Sequence, residues 1–136
     1  MQVARVTDDT VTTLAPGSGD FTVVSLNFTP TSSSSLIRIG WSHGQSTRVS
    51  TGGTNSWLSA GVKIDGVNDQ SLGVGAIGYP QQGSDMRYMP SRFNYISSWT
   101  GSKSIAHFVS VGSTGSNWTI NHQGNFTALE VMEIAQ

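Results

Sequence analysis

The sequence predicts an all-β protein, an antiparallel sandwich of about eight strands, and three observations carry that expectation. With 21 serines, 14 threonines and 16 glycines against two glutamates and two lysines, the composition favours strands and turns over helices. Short alternating apolar runs recur between turn-forming clusters, at the spacing of a sandwich or barrel. The final run, Thr127 to Ala135, is apolar on both parities: Ala128, Met132 and Ile134 on one face, Leu129, Val131 and Ala135 on the other. A strand apolar on both faces is covered on both, so this segment is expected to be central. Glu130 and Glu133 break its two faces, and a buried unpaired carboxylate is costly. Each therefore requires water, a basic partner or another subunit at its level.

At 136 residues the chain suffices for one domain with a modest core. The formal net charge of −1 supplies no basic field for nucleic acid, and no polybasic or amphipathic run suits a membrane surface. Without cysteine, disulfides and thiolate metal sites are excluded. Neither a signal-peptide core nor a transmembrane run is present. Three N-x-S/T sequons, at Asn27, Asn117 and Asn125, read as chance in so Asn/Ser/Thr-rich a chain.

Taken in order, residues 1–14 alternate weakly (Val3, Val6, Val11, Leu14), as a short strand or an arm lying on a partner. Ala15 to Asp20 is a loop, then Phe21 to Thr29 a strong strand with Val24, Leu26 and Phe28 on one face and Phe21 and Val23 on the other. Pro30 ends it, since proline cannot donate to a ladder. After a serine-rich connection, Leu36 to Trp41 is a strand with Ile37, Ile39 and Trp41 opposite Arg38. Gly44 to Ser56 reads as a long surface loop, and Trp57 to Ile64 as a strand entering a tight turn at Asp65-Gly66. Gly73 to Pro90 is irregular, with room for one short strand. Phe93 to Trp99, Ser104 to Val111 and Asn117 to His122 complete the set before the last strand.

Motifs with catalytic lettering lack their context. Gly40-Trp41-Ser42-His43-Gly44 spells a nucleophile elbow, but a glycine-rich loop follows where that motif needs a helix. Gly73-Val74-Gly75-Ala76-Ile77-Gly78 spells a dinucleotide fingerprint but precedes Tyr79-Pro80. His43, His107 and His122 have no metal-pair spacing; His107 is expected in a core or interface and His122 at the surface. The expectation is no catalytic residue, no metal and no cofactor. Trp41, Trp57, Trp99, Trp118, Tyr79, Tyr88 and Tyr95 have the chemistry of a sugar-binding shelf, though aromatics more often fill cores and interfaces.

Leu26-Asn27-Phe28-Thr29-Pro30, a serine-rich turn and Leu36-Ile37-Arg38-Ile39 resemble the opening of small bacteriophage virion proteins. Lys63-Ile64-Asp65-Gly66, Gly101-Ser102-Lys103-Ser104-Ile105 and the Thr127–Ala135 ending extend the resemblance over residues 20–136. It implies a homotrimeric jelly roll of the tumour-necrosis-factor-like type, borne on phage heads or fibres. On that basis residues 1–19 are an N-terminal arm and 20–136 the jelly-roll domain. The first strong strand begins by Phe21, which leaves no room for a fibre shaft and favours a capsid decoration (cement) protein over a glycan-binding fibre tip. The expected partners are two further copies and the major capsid protein, in the virion, with no nucleic acid and no membrane. Val3, Arg5 and Val6 are expected to grip the shell, and His107, Phe108, Leu129, Val131 and Glu133 to form the trimer contact. Removing residues 2–14 is expected to spare folding and abolish shell binding.

Overall fold

The computed structural model describes residues 1–48, 57–77, 86–88, 90–112 and 117–135, the side chains of 74–77 and 86–88 aside. Its strands are β1 (Gln2–Asp8), β2 (Thr12–Leu14), β3 (Gly19–Phe28), β4 (Leu36–Ser42), β5 (Ser46–Arg48), β6 (Leu58–Ile64), β7 (Val67–Ile77), β8 (Met86–Tyr88), β9 (Ser91–Ser97), β10 (Lys103–Val111), β11 (Trp118–Ile120) and β12 (Thr127–Ile134). The eight long ones form two antiparallel sheets, ordered β1-β12-β4-β9 and β3-β10-β6-β7. The all-β sandwich stands.

The topology is a nested ribbon. β6 pairs β7 across a turn, β4 pairs β9, β3 pairs β10, and β1 pairs β12, each antiparallel. Rolling that ribbon brings β12 beside β4 and β10 beside β6, which closes the two sheets as a jelly roll. The innermost turn is Asp65-Gly66, with φ of 49° and 81°, and Ile64 pairs directly with Val67. Two successive positive φ values define the tight hairpin turn that an Asp-Gly pair permits.

The described parts of the connections between β1 and β3, β4 and β6, β7 and β9, and β10 and β12 lie at one end, and each holds a three-residue strand. These form a third sheet, β2-β11-β5-β8, across that end. The expected surface loop at Gly44–Ser56 therefore begins as β5, whose Ser46, Thr47 and Arg48 are all buried. Polar residues without periodicity gave no strand signal there; the neighbouring connections impose it. The irregular stretch from Gly73 holds the end of β7 and all of β8, and Gly78 to Asp85 with Met89 lie outside the described residues.

Residues 1–19, expected as an arm, run as strands here. β1 pairs β12 from Gln2↔Glu133 to Asp8↔Thr127, and β2 pairs β11. The core lies between the two sheets: Ile37, Ile39, Trp41, Leu129 and Val131 face Val24, Phe28, Leu58, Val62, Ile105 and Val109, all at most 5% exposed. In β3 the register slips opposite His107 and Phe108, so that Phe21 pairs Val109 while Val24 pairs His107. That bulge turns Phe21 and Val24, of opposite parity, toward the same core.

Candidate functional site

Three arrangements of polar side chains stand out, two interior and one open. The first is a chain through the core. His107 Nδ1 lies 2.9 Å from the Gly61 carbonyl, which only accepts, so this nitrogen carries a proton and Nε2 accepts. His43 Nδ1, 3.2 Å from that Nε2, must then donate, and Ser46 Oγ donates to His43 Nε2 at 2.6 Å. Both rings are neutral in this scheme. Burial lowers the His43 pKa to about 4; burial, the neighbouring His43 and an opposing bond to Gly61 leave His107 lowered too. Trp41 stacks on His107 at 4.5 Å between centroids, and its indole donates to the Leu72 carbonyl, tying one sheet to the other.

Thr127 extends the chain by accepting from the Gly44 amide and donating to Asn121 Oδ1 at 2.8 Å. Asn121 in turn donates to the Asp8 and Thr10 carbonyls, holding the β1–β2 turn. It occupies the left-handed region at φ 56°, a conformation asparagine tolerates better than most residues. The Ser46–His43 pair has the lettering of an activated nucleophile, but Ser46 is 0% exposed and reaches no solvent-borne substrate. Ser42 of the G-x-S-x-G pattern is exposed on β4 while His43, next to it, is buried; no elbow forms.

The second is Glu133. Its carboxylate accepts from the Thr31 amide and hydroxyl, the Ser32 amide and the Ser35 hydroxyl, at 2.7 to 3.0 Å. The Thr31 amide and then the Ser35 hydroxyl lead in lowering its pKa to about 2. The partner that its burial demands is the β3–β4 connection of its own chain.

The third is a recess of about 500 Å³ on the outer face of the β1-β12-β4-β9 sheet. Register explains its shape. One cross-strand row reads Arg5, Glu130, Gly40, Phe93; the next reads Thr7, Ala128, Ser42, Ser91. Gly40, Ser42, Ser91 and Ala128 line it with Arg5, Arg38 and Phe93 around them, while Arg92, level with the inward-facing Trp41, turns its guanidinium to the other face. Arg38 pairs with Glu130 at 2.9 Å and lies over the Phe93 ring at 4.8 Å. Arg92 donates to the Gly73 carbonyl, and Arg5 has no hydrogen-bond or ion-pair partner among the described residues.

The residues expected from sequence fall apart spatially. Val3 and Arg5 face outward on β1 and are exposed, whereas Val6 packs against the core. His107, Phe108, Leu129, Val131 and Glu133 are all at most 5% exposed within the single chain. The odd positions of β12 face the other sheet of the same chain, so they offer no surface to a second copy. Phe108 is covered from outside, where Lys63 sits 5.0 Å over its ring. Of the aromatics, Trp41 and Trp118 are buried and Trp99 packs edge-on against Phe28. Trp57 and Tyr95 are exposed on different elements, the Tyr88 side chain is not described, and Tyr79 lies outside the described residues. Among the described residues, no group of three or more His, Asp or Glu could hold a metal ion. Arg38 and Phe93 were missed as a pair; Arg38 opposite an apolar face was the one visible signal.

No protein-family model matches the sequence, and no curated protein does. Among solved structures, the chain is similar to the infectious bursal disease virus Gx strain structure, with a TM-score of 0.58 and 18% identity over 96% of this chain and 32% of that one. It is similar also to T=1 particles derived from that virus (0.55, 16% identity, 99% of this chain, 36% of that one). The VP2 subviral particle of the same virus gives 0.50 at 15% identity, covering 99% of this chain and 37% of that one. The chain thus spans about a third of the length of these viral capsid proteins. At such identities the likeness is one of fold, an antiparallel jelly-roll sandwich.

Proposed function

We propose that this chain is a structural virion protein, a homotrimeric decoration (cement) protein that binds capsid subunits of a bacteriophage head. The observation that carries the reading is the likeness of nearly the whole chain to a domain-sized part of a viral capsid protein. The phage and tumour-necrosis-factor-like character and the trimer come from the sequence resemblance. Shell contact is proposed first at the end spanned by the third sheet, where the connections expose Val11 (56%), Trp57 (36%) and Phe126 (52%). Apolar side chains concentrated at one end of a domain favour association there. Val3, 48% exposed, and Arg5 on the edge strand remain proposed contacts; Val6 is inward-facing. Each trimer would act multivalently, so modest contacts add through effective concentration.

The test is solution mass by light scattering, followed by co-sedimentation with expanded empty capsids. A mass of about three chains that pellets with shells supports the reading, and Phe126→Asp with Val11→Asp should release it from shells while leaving the trimer intact. A monomer would sink the trimer. A trimer indifferent to capsids would favour the second reading, a receptor-binding tip module of a tail fibre, for which the open recess beside Phe93 is the favouring observation.

A further inference from the structure

We infer that the outer face of the β1-β12-β4-β9 sheet is where copies of this chain meet, each face being covered by a second copy. This deepens the trimer of the proposed function and rests on it. It gives that trimer a contact surface in place of His107, Phe108, Leu129, Val131 and Glu133, which are buried within one chain.

The two sheets differ on their outer faces. Outside β3-β10-β6-β7 the register places Thr22, Ser25, Asn27, Ser59 and Lys63, polar side chains suited to water. Outside β1-β12-β4-β9 one cross-strand row reads Val3, Met132, Arg38, Tyr95, and the next row away from the third sheet adds Ile134 and Leu36. With Phe93 on the other side of Tyr95 these residues make a contiguous apolar patch. Val3 and Tyr95 are each 48% exposed. A patch of this kind, rimmed by polar groups, marks an association surface. It also accounts for the even parity of β12, where Met132 and Ile134 are apolar but turned away from the core.

The side chains are those of a protein contact. Interface cores are enriched in Tyr, Phe, Met and Arg and depleted in Lys. The patch holds Tyr95, Phe93, Met132 and Arg38, while the chain's two lysines, Lys63 and Lys103, both lie on the other sheet. The rings of Phe93 and Tyr95 meet edge-on at 6.0 Å, and Arg38 lies over the Phe93 ring. Anchors already held in place lose little freedom on association.

Charge selects a second copy as the occupant. Arg5 has no hydrogen-bond or ion-pair partner among the described residues, and Glu130 engages Arg38 through one oxygen only. A face carrying an unpaired cation beside a half-used carboxylate complements itself, Arg5 of one copy meeting Glu130 of the next. A partner of a single charge sign would satisfy only one of the two. Such rim charges set register more than strength. The patch lies at the end of the sheet away from Ser42 and Ser91, so Val11, Trp57 and Phe126 stay open to the shell while Val3 and Arg5 pass from shell to copy.

The experiment measures the solution mass of the full chain by light scattering, alone and with Tyr95→Glu or Val3→Glu. Each replaces a side chain about half exposed in the single chain, and an unchanged far-ultraviolet circular dichroism spectrum verifies the fold. The expected result is a mass of about three chains for the parent, with each substitution weakening association at least about thirtyfold, to one chain. Phe126→Asp should leave the mass unchanged. Because the chain has no cysteine, Val3→Cys supplies a single thiol. Maleimide should label it slowly in the assembled protein and fast once Tyr95→Glu is added, whereas Phe126→Cys should label alike in both. A mass of two chains lost to the same substitutions keeps this face and sinks the trimer. A trimer that withstands both substitutions and labels freely at Val3→Cys overturns the inference and leaves the trimer standing. A parent of one chain overturns both; if Tyr95→Glu then abolishes co-sedimentation with empty capsids, the face belongs to the shell protein.

Discussion

Glu133 is a carboxylate that the fold has built a loop around. Thr31, Ser32 and Ser35 supply four donors to its two oxygens, so the β3–β4 connection takes its conformation from one side chain on β12. Glu133→Ala leaves those donors without a partner, and a lost acceptor costs more than a bond never made. The expected result is a Tm lowered by several degrees, with the β3–β4 connection exchanging its amides faster by hydrogen exchange. The sequence made half of this legible. It marked Glu133 as a charge needing a partner, but assigned the partner to another subunit. The true donors are a serine-rich connection with no periodicity, about a hundred residues away in the chain, whose backbone amides have no sequence signature.

At the scale of elements, the alternation that sequence reading detects is most faithful where both neighbours are long strands. β4 shows it: Ile37, Ile39 and Trp41 are inward and Arg38 outward, as their parity requires. It fails where a strand is dictated by what lies beside it. β5 and β8 have no pattern of their own, and β7 follows so closely on β6 that its glycines read as loop. β1 was ambiguous for the opposite reason: Gln2, Ala4 and Val6 are only half-buried, so an edge strand resembles an arm. Its seven pairs with β12 change the expected outcome of removing residues 2–14. That deletion strips an edge from β12 and a partner from β11. It should lower Tm by more than about 10 °C or leave insoluble protein, as thermal melts would read, rather than yield a folded, non-binding form. By contrast Arg5→Gln removes only an outward side chain and should melt like the parent.

For the whole molecule, the His43–His107 chain makes stability depend on acidity. Both rings are neutral when folded, with pKa values lowered from 6.5, to about 4 for His43 and further for His107. Below 6.5 the unfolded chain binds protons that the folded one does not, so stability rises with pH through this window and falls as pH drops toward 4. The loss is up to about 1.4 kcal/mol per pH unit for each histidine. Glu133, lowered from 4.5 to about 2, adds a second loss at lower pH, as its unfolded form takes up a proton first. Denaturant melts at pH 7, 5.5 and 4.5 should show a falling midpoint, and His107→Gln, with no such titration, a flatter profile. A midpoint independent of pH in the parent would contradict the neutral pair.

The nested ribbon has a consequence for how the chain finds its structure. Its outermost pair joins Gln2 to Glu133, and among the described pairings of long strands only the Asp65-Gly66 hairpin is local. Every other pairing between long strands closes a loop that contains another pairing, so loop-closure entropy falls due before the contacts that offset it. Refolding should therefore nucleate at β6–β7 and zip outward, with β1 docking last. Stopped-flow refolding should run on the scale of milliseconds to seconds, slow for a chain of this size. During that interval the edge of β12 is open to any other chain, and high concentration should divert molecules into aggregates before β1 arrives.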